Sequence, residues 1–222
     1  MIRLQKQDWI DFTLDFLAIT LGVFITFGIQ GVIDKGEEEK AVKAALQLVR
    51  DEISQNKADL EQLSQMVGVE RKAATYMWVH QKELADCPKD SIQFYGSTCF
   101  EQFTITQTKD ALELMKSSQT FQNLDNPKLA LAIIKAYDQM EAATITFNTY
   151  DKQKQDLRNK ALNDEVKQGM IETGSLRMKD FFNSVDGLYY IYFILSNARP
   201  ELYQTAFPVM DDAIKQIDEY IK

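Results

Sequence analysis

The chain of 222 residues carries 33 Asp and Glu against 25 Lys and Arg, a formal net charge of −8, and its pI lies near 4.8. That balance argues against nucleic-acid binding, which needs a basic stripe to meet the phosphates. Only four prolines and nine glycines, with apolar residues recurring at helical spacing, point to an all-α chain.

Residues 1–15 form a short tail in which Asp8, Asp11 and Asp15 follow one another at spacings of three and four. A helical tail places all three carboxylates on one face, where they repel unless solvated and met by the helix N-terminal dipole. Trp9 reads as an interfacial anchor, and the sharper reading of the acidic face is a docking point for a basic partner or a cation.

Phe16 to Ile33, FLAITLGVFITFGIQGVI, runs about eighteen residues without a formal charge, long enough to cross a bilayer as one helix. A cleaved signal peptide fits less well, because acidic residues precede the apolar run and no Ala-x-Ala site follows it. The span therefore predicts a single-pass membrane helix with lipid as its first partner. Thr20, Gly22, Thr26, Gly28 and Gly31 supply a small-residue surface for helix packing, although no GxxxG pair is present. Arg3 and Lys6 on one side are nearly balanced by Lys35, Lys40 and Lys43 on the other, so positive charge alone does not set the orientation.

Residues 34–222 make the extramembrane domain, expected as a helical bundle. The cleanest pattern is in its first long helix, 37–84, predicted to continue from the membrane span. Leu46, Ile53, Leu60, Val67 and Ala74 repeat every seventh residue, and Val42, Val49, Asn56, Leu63 and Met77 fill the second seam position, interrupted by Glu70. Two uses of that coiled-coil seam stay open: burial against later helices of the same chain, or pairing with further copies in a homo-oligomer. Asn56 would specify register in either case. His80 is the only histidine and has no second His or Cys at ligand spacing, so it reads as a surface residue and not as a metal site.

Residues 86–103 break the pattern and read as a loop holding both cysteines, with Asp86-Cys87-Pro88 and Tyr95-Gly96-Ser97 as turn signals. Cys87 and Cys99 are an even pair, and a bridge between them in an oxidising compartment would stabilise the loop by about 3 kcal/mol. Helices are predicted over about 107–117, 127–168, 176–197 and 208–222. Asp125-Asn126-Pro127 supplies a cap followed by proline at the first helical position. The aromatic stretch with Phe181, Phe182, Tyr189 and Tyr192 reads as bundle core, with a ligand pocket between helices as the alternative. No P-loop, GxGxxG, HExxH, GxSxG or Cys-x-x-Cys occurs, so no catalytic, metal or cofactor-binding residue is nominated, and no enzyme activity is expected.

GVFITFGIQGVID after the acidic LDFLAIT, followed by a charged helix carrying Leu46, Ile53 and Asn56, resembles a family of uncharacterised bacterial single-pass inner-membrane proteins. Members of that family have a Gly-Ile-Leu-Ile-Ala-Leu anchor core, an Asn-Asn-Trp signature and a long helical domain. TKDALELMKSSQTFQNLDNPKLALAIIKAYDQME is similar to a second block of the family, a Leu-Lys-Ser-Ser turn before an Asn-led helix. Here Gln30, Gly31 and Val32 stand where the family has Asn, Asn and Trp. The resemblance implies a cytoplasmic N-terminus and a periplasmic main domain, and it supplies no activity. The expected function is a membrane-anchored helical interaction or scaffold module, a subunit or regulator of a larger inner-membrane complex. The alternative is a periplasmic ligand sensor that acts through a membrane partner.

Overall fold

The computed structural model describes residues 35–118, 120–173 and 176–222. The span 16–33, with Thr20, Gly22, Thr26, Gly28 and Gly31, lies outside the described residues. Among the described residues no helix is long and apolar enough to cross a membrane, and the secondary structure is entirely helical.

The organising element is α1, Lys35–Val79, 45 residues and therefore about 67 Å long. It contains no proline, and its heptad pattern keeps one apolar seam in line along the whole rod. All eleven seam positions from Val42 to Met77, including Asn56 and Glu70, are buried, none more than 4% exposed. The seam is covered by helices of the same chain, so it is core and not a free face for another copy. Each fully buried Leu, Ile or Val contributes roughly 1.5–3 kcal/mol by leaving water. Residues 36–41 are exposed, so α1 enters the bundle only at Val42.

The remaining helices are α2 (Lys89–Phe100), α3 (Asp110–Ser117), α4 (Pro127–Ala161), α5 (Asp164–Thr173), α6 (Met178–Asn183), α7 (Val185–Asn197), α8 (Pro200–Gln204) and α9 (Phe207–Ile221). Side-chain pairs give their directions. Tyr76 stacks on Tyr95, and Asn56 reaches Thr108 farther down α1, so α2, the segment after it and α3 run antiparallel to α1. Glu52 meets Tyr137 and Glu70 meets Tyr150, so α4 runs parallel to α1. Trp78 packs on Tyr192, Ser64 bonds Pro200, and Lys57 and Arg50 pair with Asp211 and Asp218. The series α7, α8, α9 is therefore the second descending limb. The result is an up-down-up-down bundle in which both ascending limbs are single helices and both descending limbs are broken.

The predicted loop 86–103 is corrected: Lys89–Phe100 is a helix. Gly96, read as a turn signal, is a helix-interior glycine. A Cβ there would lie 3.1 Å from Met178 Sδ and Phe182 Cε2, so the missing side chain lets α6 approach α2. The Cys87–Cys99 bridge falls with the loop. Both cysteines are free, Cys99 buried and Cys87 half-buried. Lys89, two residues after Cys87, stands ten helical rises, about 15 Å, from Cys99 along α2.

Two predicted helices are also divided. The one over 127–168 ends at Ala161, and Asn163 caps a new helix by accepting from the Val166 N–H at 3.0 Å. The one over 176–197 breaks at Ser184, which is extended and accepts from the Gly187 N–H at 3.0 Å. Asn126 caps α4 as expected, accepting from the Leu129 N–H at 3.1 Å ahead of Pro127.

Candidate functional site

The first descending limb is not helical in its middle. Residues 101–109, EQFTITQTK, carry no helix, turn or bend, and their length requires them to be extended. Lys154 donates both to Glu70 on α1 and to the Glu101 carbonyl, each at 2.7 Å. Seven residues later Thr108 is held by Asn56. Glu70 and Asn56 are fourteen residues apart on α1, about 21 Å, so the strap covers about 3 Å per residue, close to a β-strand's rise. Three threonines and Ile105 in this short run favour that conformation over a helix. Burial alternates as a strand requires: Phe103 and Ile105 point into the bundle, while Thr104 and Thr106 are exposed.

Both ends of the strap are fastened by polar groups from the long helices, with Asn56, Glu70 and Lys154 buried. At the upper end, Glu70 accepts from Lys154 and, at 2.8 Å, from the Tyr150 hydroxyl. Asp151 stands 3.6 Å from Lys154 Nζ, close enough for charge attraction and too far for a hydrogen bond. Its other oxygen accepts from Gln155 at 2.5 Å. Arg158 donates to the Phe100 carbonyl at 3.5 Å, and the Gln102 amide oxygen, when turned toward it, accepts from both guanidinium ends at 2.9 and 2.6 Å. Tyr190 donates to the Cys99 carbonyl. The Lys154 ammonium also lies 5.4 Å from the Phe103 ring centre.

At the lower end, Glu52 accepts from the Ala111 N–H at 3.1 Å, at the start of α3, and from the Tyr137 hydroxyl. Gln107 donates to the Tyr137 carbonyl at 3.2 Å, and Lys109 to Glu141 at 2.6 Å. The strap therefore has its two ends tied to α1 and α4, with nothing comparable between them.

Burial sets the titration of the upper fastening. It holds the Glu70 carboxyl above its ordinary value, and the attraction of Lys154 and the Tyr150 bond only partly offset that. Burial also pushes up the Tyr150 and Tyr190 hydroxyls and the Cys99 thiol. Glu70 and Lys154 side chains are 0% and 2% exposed. The cluster fastens the strap, and burial keeps Cys99 a protonated core thiol.

A strand is thinner than a helix, and the bundle does not close the difference. Along the strap a groove of about 360 Å³ opens, lined by Asp59, Gln62, Leu63 and Met66 of α1 and by Phe103, Thr104, Ile105 and Thr106. Asp59 is the one charged residue in this lining. From Gln102 to Gln107 no backbone N–H or C=O has a hydrogen-bond partner among the described residues. The strap is thus a single strand of sheet without a sheet.

No protein-family model, curated protein or solved structure matches the chain.

The structure separates the residues nominated from sequence. The seam residues Val42, Leu46, Val49, Ile53, Asn56, Leu60 and Leu63 are together, as core. The four aromatics of the suggested pocket are not: Phe181 and Phe182 are buried against Phe100, whereas Tyr189 and Tyr192 stack on the outer face of α7, about half exposed. Met178 and Phe182 pack against Gly96 of α2. His80 lies against the Tyr76 ring at 4.5 Å. Among the described residues no group of His, Cys, Asp and Glu is placed to hold a metal ion. Sequence reading missed the strap, whose signal is the run Thr104-Ile105-Thr106-Gln107-Thr108 inside a helical protein.

Proposed function

We propose that the chain is a membrane-anchored helical interaction module, a subunit or regulator of a larger inner-membrane complex, whose bundle presents the strap groove to a protein partner. The observation that carries this reading is the unpaired backbone of Gln102–Gln107, held open by fastenings at both ends. The apolar span at 16–33 supports the anchor, and the family resemblance supports the inner membrane with the bundle outside. The free thiols withdraw the support that a disulfide would have lent to the periplasmic side. The ligand-sensor alternative loses its pocket, because its four aromatics face two different environments.

Photo-crosslinking in the native membrane tests the module. A benzoylphenylalanine at Gln62, in the groove, should give protein adducts, and one at Ile145, exposed on α4, should not. Absence of adducts at both sites, with a full-length chain that purifies alone in mild detergent, would refute the proposal.

A further inference from the structure

The groove selects the conformation of what enters it. A helical limb is about 10 Å across, whereas neighbouring strands lie about 4.8 Å apart. Where residues 101–109 replace a helix with a strand, the difference between those two widths leaves room beside α1 for about one more strand and not for a helix. One wall is the strap's edge, and the floor is Leu63 and Met66.

The unmet hydrogen bonds point the same way. In an extended chain each residue directs its N–H and C=O to one edge, and the next residue to the other. The α1 side of the strap therefore offers either Phe103 and Ile105 or Thr104 and Thr106, a ladder of up to four bonds. A partner that shields these groups from solvent must supply hydrogen bonds to them. A backbone in extended form does so in register. An α-helix has its own N–H and C=O groups committed internally and cannot.

The groove also carries a charge preference. Asp59 uses one carboxylate oxygen to accept from Gln55 at 2.8 Å, which leaves the second. The nearby Lys57 does not neutralise it, because Lys57 is held by Glu61 and by Asp211 at 3.3 and 2.7 Å. The occupant is thus expected to bring a cation.

We propose that the strap is an acceptor edge for β-strand addition: an extended segment of a partner protein, apolar at alternate positions and carrying a Lys or Arg, pairs with the backbone between Phe103 and Thr106 over Leu63 and Met66. The inference rests on the interaction-module reading and specifies how the partner binds. The main chain supplies the bonds, the apolar floor reads every second side chain, and Asp59 sets direction. The fastenings at Glu101 and Thr108 hold the acceptor strand straight before the partner arrives, so it loses little further freedom on pairing.

A ladder this short binds weakly as a free peptide, so the test supplies the strand in tethered form. Arg50–Asp218 and Lys57–Asp211 place Lys222 near the level of residue 46, about 15–35 Å from the strap along α1. A Gly/Ser linker of about 25 residues, with a root-mean-square length near 28 Å, spans that distance. The full chain in detergent is extended after Lys222 by this linker and Val-Thr-Val-Thr-Val-Lys. A control carries proline at each threonine of the added peptide, which removes donors and blocks strand pairing.

Amide hydrogen exchange reads the result without altering any residue of the bundle. The Val-Thr extension should slow exchange within Phe103–Thr106 by about tenfold or more, with the proline control at the rate of the unextended chain. Unchanged exchange in both would overturn the proposal, as would equal slowing in both, which reports contact without a ladder. Absence of slowing alongside adducts at Gln62 defeats strand addition and leaves the interaction module standing. Slowing without such adducts supports the acceptor edge and counts against the module.

Discussion

The side-chain amide of Asn56 pairs with the backbone of Thr108 on both sides: Nδ2 donates to the Thr108 carbonyl at 2.8 Å, and Oδ1 accepts from the Thr108 N–H at 3.2 Å and its hydroxyl at 3.0 Å. A buried helix residue thereby mimics the neighbour that a strand would have in a sheet. This pairing is the lower fastening of the strap, and it explains a polar residue in an apolar seam.

Replacing Asn56 with Leu should cost about 1–3 kcal/mol, the penalty for stranding the paired groups, measured by urea denaturation. Asn56→Asp should cost more, because it sets a carboxylate against the Thr108 carbonyl. In both variants amides at 103–108 should exchange faster while those of α1 keep their protection. A neutral Asn56→Leu with unchanged exchange would remove Asn56 as a fastening.

Glu70 and Lys154 should behave as a unit. Glu70→Leu removes the acceptor of both Lys154 and Tyr150, and Lys154→Met leaves a buried carboxylate; each is expected to lose about 3–5 kcal/mol. The double variant should lose clearly less than the sum, and that difference is the coupling between the two side chains. Additive losses in a double-mutant cycle would mean that the pair does not act together.

The pH dependence of stability follows from Glu70. Its folded-state pKa stands above the ordinary 4.5 because of burial, so the folded chain holds a proton more firmly than the unfolded chain does. Stability gained by protonation is absent above the folded pKa, grows as pH falls through it and is complete below about 4.5. The wild type should therefore gain stability relative to Glu70→Gln as pH is lowered through that window. Melting temperatures of the two proteins across the pH series measure it, and the opposite slope would show that Lys154 outweighs burial.

Much of the bundle was legible because long helices advertise themselves by period. The seam from Val42 to Met77 follows from spacing of three, four and seven, and the start of α4 from its Asn126-Pro127 cap. The seam's partner was not legible, since a heptad pattern reads alike whether it meets its own chain or another. Helix breaks at Leu162 and Ser184 depend on capping geometry that competes with continued helix by small margins. The turn reading at Gly96 failed because glycine serves close helix contact as well as turns. Glu70 was visible as an interruption, but its partner lies eighty-four residues away at Lys154, a distance that no local pattern spans.

The last helix, α9, closes over the first part of the first: Arg50 and Asp218 meet across 168 residues of sequence. During synthesis the seam around Leu46, Val49 and Ile53 is therefore made long before its last cover, and stays open on that side until Phe207–Ile221 has emerged. Closing so large a loop is slow, and the exposed stripe is a surface to which other nascent chains can adhere.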